Sequence, residues 1–363
     1  MPVKEGMNIL IGGVKMALLW FDGFESYEAG TDIAALSPLL SQYSTVIGAY
    51  GRRGGNAIFM NGINDWHMVK VSGTPATIVC GFAIYLPSET TPVYSPTAIW
   101  IRLDDASEGG NTHLKFYING SRLIEVRNNA LTLLGTTSGH TIDGNTWYYI
   151  EIKATISDTV GQITINVDEV ERLSTMADKD TLNGSNAYVG GVKLGGVNGP
   201  TAIYYDDLYI LDDSGTKNND FLGDVRVDVL RPNGAGTYTD FTPSAGSNYE
   251  NVDEAFGPDD DTTYNDGSTV ADQDSYALEN LPAPAGTTIY GVKSQITVRK
   301  TDAGSRECKL LTRAGTTDDL GDTIALSDTF STHAKIFEDN PDDSADWVDA
   351  DVNSMEVGVE ITV

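Results

Sequence analysis

Cysteine is scarce: Cys80 and Cys308 are the only two in 363 residues. They fall in what the pattern below sets apart as different domains, so no disulfide framework is implied and both are expected as free, buried thiols. No stretch approaches the roughly 18 apolar residues of a membrane span, so membrane insertion is not expected. Lys15 interrupts the N-terminal apolar run and no small-residue cleavage site follows, so a signal peptide is not expected. Bases are few: 23 Lys and Arg face 52 Asp and Glu, a formal net charge of −29. Nucleic acid is thereby disfavoured as a partner, because phosphate binding needs a basic surface. Such acidity favours solubility, discourages self-association of free subunits, and permits calcium.

Catalytic signatures are missing as well. The histidines, His67, His113, His140 and His333, are scattered, and none is paired at zinc-ligand spacing. No GxSxG occurs, and Gly12-Gly13 and Gly190-Gly191 suit turns better than phosphate loops. Glu125 and Glu151 lie on expected strands, where a glycosidase could carry its carboxylates. Every β-domain offers glutamates on strands, however, so no catalytic residue is assigned.

What is present is an all-β pattern. The stretch Ile203–Asp213 (IYYDDLYILDD) has apolar residues on both faces and no Pro or Gly, as a central strand should. Strict alternation puts Asp206, Leu208 and Ile210 on one face and Tyr205, Tyr209 and Leu211 on the other. Short strand candidates precede it from Leu18 onward, separated by Gly-Gly, Asn-Gly and Asp-Gly turns. Tyr117–Leu123 reads as a type I′ hairpin on Asn119-Gly120. A short helix is expected at Asp32–Ser41, capped by Thr31 and limited by Pro38. So many strands without helical periods imply an antiparallel sandwich. In Trp147–Ile156, Tyr148, Ile150, Ile152, Ala154 and Ile156 form the core face.

The pattern divides the chain into an arm (1–15), a first β-domain (16–213), a polar hinge (214–220) and a smaller β-rich domain (221–363). The last is expected to contain strands at Asp224–Leu230, Asp274–Leu278, Thr288–Lys300, Glu307–Ala314, Thr323–Ala325 and Met355–Val363. A helix is expected at Trp347–Met355, capped by Asp346. The densest carboxylate run, Asp259, Asp260 and Asp261, could hold calcium. Its spacing fails the EF-hand pattern, and a solvated acidic turn is the plainer reading.

The segments WYYIEIKATI (147–156), QITINVDEV (162–170) and YYDDLYI (204–210) resemble the concanavalin A-like jelly roll of laminin G-type domains. MALLWFDGFESY (16–27) resembles the first strand of such domains in virion structural proteins of tailed bacteriophages. Segments 223–254 and 288–319 also resemble the C-terminal part of phage tail or virion proteins. The resemblance over 16–213 implies a concanavalin A-like jelly-roll sandwich followed by the second β-domain, with an acidic pair, here Asp206-Asp207, near the sheet edge. It further implies a non-enzymatic structural component on the particle surface of a virion. Its partners would be other virion proteins, copies of itself (a homo-oligomer, plausibly a trimer) and host-surface glycan. Tail-fibre or receptor-binding attachment is the first expectation, capsid decoration the second, and a glycan depolymerase on the same fold the third. Tyr50, Tyr94 and Tyr204 could stack sugars, though subunit packing suits such aromatics better.

Overall fold

The computed structural model describes residues 17–27, 40–43, 46–48, 50–60, 66–87, 100–106, 109–195, 203–255 and 257–363. The expected arm, Tyr94 and most of the expected helix at Asp32–Ser41 lie outside these residues. Leu40 and Ser41, the end of that expected helix, instead begin a strand.

The first strands are β1 (Leu18–Asp22), β2 (Leu40–Tyr43), β3 (Val46–Gly48), β4 (Ala57–Met60), β5 (Trp66–Lys70), β6 (Thr77–Tyr85), β7 (Ile101–Asp104) and β8 (Thr112–Ile118). Then come β9 (Ile124–Asn128), β10 (Leu133–Thr136), β11 (Trp147–Thr155), β12 (Gln162–Val167), β13 (Val170–Ser174), β14 (Gly191–Gly195) and β15 (Ile203–Asp212). They build two antiparallel sheets. One runs β13-β12-β11-β6-β15-β4-β3 with β1 also paired to β15, and the other runs β10-β9-β8-β7-β14-β5-β2. Their facing side chains, among them Phe82, Ile150, Ile152, Phe116, Val126 and Leu194, form one hydrophobic core. The Trp147–Ile156 core face is as the alternation requires.

After residue 230 the strands are β16 (Pro232–Thr239), β17 (Thr242–Pro243), β18 (Asn265–Asp266), β19 (Gln273–Leu278), β20 (Val292–Val298), β21 (Glu307–Ala314), β22 (Thr317–Ala325), β23 (Ser331–Phe337) and β24 (Glu356–Ile361). A five-stranded sheet runs β16-β19-β24-β21-β22, and β20 pairs with β23 apart from it. The chain is therefore all-β and sandwich-rich. The expected helix at Trp347–Met355 shrinks to one turn, Asp349–Val352, and its cap is Val348, not Asp346. Cys80 and Cys308 are free and buried, as expected.

Three local readings change. The hairpin of β8 and β9 closes through Asn119 N–H to Leu123 O, and its positive φ (62°) falls on Arg122. Asn119 Oδ1 accepts from the amides of Ser121 and Leu123, which holds a three-residue loop and replaces the expected type I′ turn. Second, β15 carries a bulge between Asp206 and Tyr209, with Asp207 at φ 49°. The inserted residue reverses the alternation, so Tyr205 joins Leu208 and Ile210 in the core while Tyr209 and Leu211 lie on the outer face. Asp206-Asp207 therefore sits inside a central strand, not at the sheet edge.

Third, Asp224–Leu230 forms no ladder. Its alternating Val225, Val227 and Val229 gave a strand-like period, but no strand lies beside it. It is an extended strap across the outer face of the eight-stranded sheet, where Phe221, Leu222 and Val225 pack on Leu18, Val79, Tyr149, Tyr209 and Leu211. Gly81 makes this face fit, because an added Cβ would lie 2.2 Å from Tyr209 Cε1. A Gly81→Ala substitution is expected to cost about 1–3 kcal/mol, measured by chemical denaturation, with Gly120→Ala as a control that meets nothing.

Candidate functional site

Cross-strand registry sorts the outer face of the eight-stranded sheet into rows. Lys153, Val79, Leu211 and Leu18 make one row, and Glu151, Gly81, Tyr209 and Phe21 the next. Tyr149, Ala83 and Asp206 follow. The last is wholly aromatic: Trp147, Tyr85, Tyr204 and Phe59, contributed by β11, β6, β15 and β4.

The inner rows hold the strap. Leu222 N–H donates to Tyr209 Oη (3.2 Å), Gly223 N–H to Glu151 Oε1 (2.8 Å), Asp224 N–H to Glu169 Oε1 (3.2 Å) and Val227 N–H to Asp207 Oδ1 (2.9 Å). Tyr209 also donates to Glu151 Oε1 at 2.5 Å. Arg52 donates to both oxygens of Asp224, at 2.5 Å each, and to Asp207 at 3.4 Å, while its guanidinium lies 5.3 Å from the Tyr149 ring centroid. Asp206 is buried and accepts from the amides of Arg52 (2.6 Å) and Asp207 (2.8 Å).

Glu25 shares this seam. Burial, reinforced by the charge of Asp206, pushes its carboxyl up to about 9. Its Oε2 is buried and meets no donor among the described residues. Burial and mutual repulsion also raise Asp206, and burial raises Asp207.

In the outermost row Trp147, Tyr85 and Phe59 are half-buried, and Tyr204 between them is buried. Ring centroids are 5.4 Å apart for Tyr85–Trp147, 6.1 Å for Tyr85–Tyr204 and 5.0 Å for Phe59–Tyr204. Tyr50 extends the row, 5.1 Å from Tyr204, and is 65% exposed. Tyr50 and Tyr204 are thus brought together, but Tyr204 is buried under its neighbours, so of the two only Tyr50 offers a free ring face. Trp147, Tyr85 and Phe59 complete the set; the signal for them was the opening Trp of β11 and the registry of its neighbours, which no single segment contains.

The other candidates disperse. Glu125 lies on the opposite sheet and is held by Arg127 and Asn119. Asp259 accepts from Thr263, Asp261 pairs with Arg299, and Asp260 adopts a positive φ in an exposed turn. Among the described residues no group of His, Cys, Asp and Glu is arranged to hold a metal ion. His67 is buried in the core, edge-on to Phe24, and its pKa is lowered to about 4 by burial. His113 is held by Asn183 N–H and Tyr188 O.

No family model matches the sequence, and no curated protein does. Among solved structures, the chain is similar to the alginate lyase Aly36B at 11% identity, over 55% of this chain and 99% of that one, with a TM-score of 0.39. It is also similar to domain 4 of AbnA, an extracellular arabinanase from Geobacillus stearothermophilus, in complex with arabinotriose (10% identity, 56% and 96% covered, TM-score 0.38). A carbohydrate-binding module from Bacillus subtilis matches at 9% identity, over 49% of this chain and 97% of that one, with a TM-score of 0.31. These neighbours include an enzyme and a binding module, and likeness of this degree carries no argument about the site.

The raised carboxyl of Glu25 has a direct consequence for stability. The fold gains from a protonated Glu25 fully below about 4.5, and that gain is lost as the pH climbs through about 9. Asp206 acts in the same direction. The unfolding temperature is therefore expected to fall between pH 5 and pH 9, and Glu25→Gln to flatten the fall. A variant that keeps the wild-type slope would remove Glu25 from the account.

Proposed function

We propose that this chain is a non-enzymatic attachment protein that holds host-surface glycan on the half-buried rings Trp147, Tyr85 and Phe59, packed around the buried Tyr204, with Tyr50 at the row's exposed end. The observation that carries this reading is the row itself. Aromatic side chains from four adjacent strands stand on the outer face of a buried sheet, at the end the strap leaves open. A sugar ring has an apolar C–H face and a rim of hydroxyls. Stacking that face on an aromatic ring removes apolar area from water and leaves the rim solvated. The scaffold is rigid, so little ordering cost falls on the protein.

The acids that could have supported hydrolysis are otherwise engaged. Glu151 accepts from Tyr209, Gly223 and Asn166. Glu125 faces its own arginine on the other sheet. Glu151 and Glu125 lie on opposite sheets, so the two strand glutamates do not face each other as a hydrolytic pair would.

The particle context rests on the resemblance of MALLWFDGFESY and the C-terminal segments to tailed-phage virion proteins. In that setting a shallow site gains from repetition, because copies on one particle raise the effective concentration of weak contacts. We place the protein on the virion surface, in a tail-fibre or tail-tip role, with other virion proteins and further copies of itself as neighbours. The exposure of Tyr50 favours one second reading, in which the row packs against a neighbouring subunit, as a capsid decoration protein would require.

A glycan array followed by titration with purified protein tests the reading. Tyr50→Ala and Trp147→Ala are each expected to weaken binding by about 1 kcal/mol, roughly fivefold. Tyr50→Ala should leave the unfolding temperature unchanged, since the ring is mostly exposed. Absence of glycan binding, together with failure to block adsorption to host cells, would overturn the proposal. If the native particle mass instead drops in Tyr50→Ala, the row is a subunit contact.

A further inference from the structure

The C-terminal part is not closed on itself. Between the five-stranded sheet, the β20–β23 pair and the strap lies a groove of about 1730 Å³. Val227, Leu230, Ile289, Val292, Ile296 and Val357 line it, and all six stay partly exposed. Exposed apolar surface gathered in one groove is a feature of binding surfaces. β20 pairs only with β23 among the described strands, so its other edge carries unpaired backbone groups.

We propose that residues 1–16 of this same chain fill the groove. The chain enters at its margin: Leu18 lines it, and the amides of Ala17 and Leu18 donate to Glu338, just beyond β23. Leu18 also abuts Gly291, where an added Cβ would lie 2.7 Å from Leu18 Cδ2. Sixteen residues reach on the order of 50 Å when extended, so length is no obstacle. Their composition suits the lining. Ile9, Leu10, Ile11 and Val14 supply apolar side chains, and Gly12-Gly13 adds little bulk.

Charge agrees. Acids outnumber bases along the groove. Of its cations, Arg53 pairs with Asp224, Arg226 with Asp228, Lys293 with Asp22, Arg299 with Asp261 and Arg306 with Asp302, while Arg231 and Lys300 are held by carbonyl oxygens. Among the described residues Asp259, Asp260 and Asp266 have no ion pair. Lys4 and Lys15 flank the apolar run against a single acid, Glu5. A strongly acidic second copy is the poorer occupant, because its body would bring like charge to this rim.

The proposal is independent of the glycan site and is tested on the full chain. An Ile296→Cys thiol is expected to alkylate slowly, and about tenfold faster when Ile9→Asp and Ile11→Asp are added, since a buried site reacts only after local opening. A synthetic peptide of residues 1–16 should restore the protection. A second measurement needs no substitution: methyl-labelled protein should show cross-relaxation between Ile9 or Ile11 and Ile289 or Ile296. Equal alkylation rates, or no such cross-relaxation, would overturn the inference. Cross-relaxation seen only between differently labelled copies would also overturn it, by assigning the occupant to a second copy.

Discussion

An extended strap with no partner strand must still satisfy its backbone amides where it is buried, and the rest of the molecule is arranged around that requirement. Leaving one such donor unpaired costs about 1–3 kcal/mol. Residues 222–227 cross the outer face of the eight-stranded sheet without a ladder, and four of their amides find side-chain acceptors on Tyr209, Glu151, Glu169 and Asp207. The acids are tolerated there because Glu151 accepts several bonds, Asp207 faces Arg52 and Glu169 remains exposed to water. Gly81 and the bulge at Asp206-Asp207 serve the same end: one lets the Tyr209 ring lie flat, and the other turns a carboxylate toward Val227. The seam continues through Lys293, which donates to Phe21 O and Asp22 and sits over the Trp20 ring. The C-terminal sheets are thereby tied to the sandwich by buried bonds as well as by the connecting chain.

This arrangement also explains why the aromatic row stands where it does. The strap and the C-terminal strands cover the inner rows, up to Asp206 and Asp207. Beyond them the same face is left with aromatic side chains, contributed one from each of four neighbouring strands. Covering and displaying are two uses of one surface, divided at the bulge. A rigid body with an open aromatic edge suits attachment by many weak contacts, which is the function proposed above.

Much of the architecture was legible in the sequence, and the misses have physical causes. Trp147–Ile156 declared itself by clean alternation, and Ile203–Asp212 by being apolar on both faces. The reversal of Tyr205 was hidden, because a bulge is set by pairing with β6, which lies over a hundred residues away. Asp224–Leu230 misled because an extended strap and a strand share the same period of two; only the absence of a neighbour separates them. Leu40 and Ser41, the end of the expected helix, are strand instead because a helical propensity is easily overridden by pairing with β5. For the site, Tyr50 and Tyr204 were visible as candidates, whereas Trp147, Tyr85 and Phe59 joined them only through registry. The burial of Glu151 was not legible, because Gly223, which bonds to its carboxylate, lies far along the chain.

Amide hydrogen exchange on the native protein, resolved to single residues across 221–231, tests the central claim most directly. If buried carboxylates and the Tyr209 hydroxyl hold the strap, Gly223 and Val227 will exchange as slowly as ladder amides of β15, although neither belongs to a strand. Exchange of both at the rate of an unstructured chain would show that the strap is not fastened to the sheet, and the account would fail.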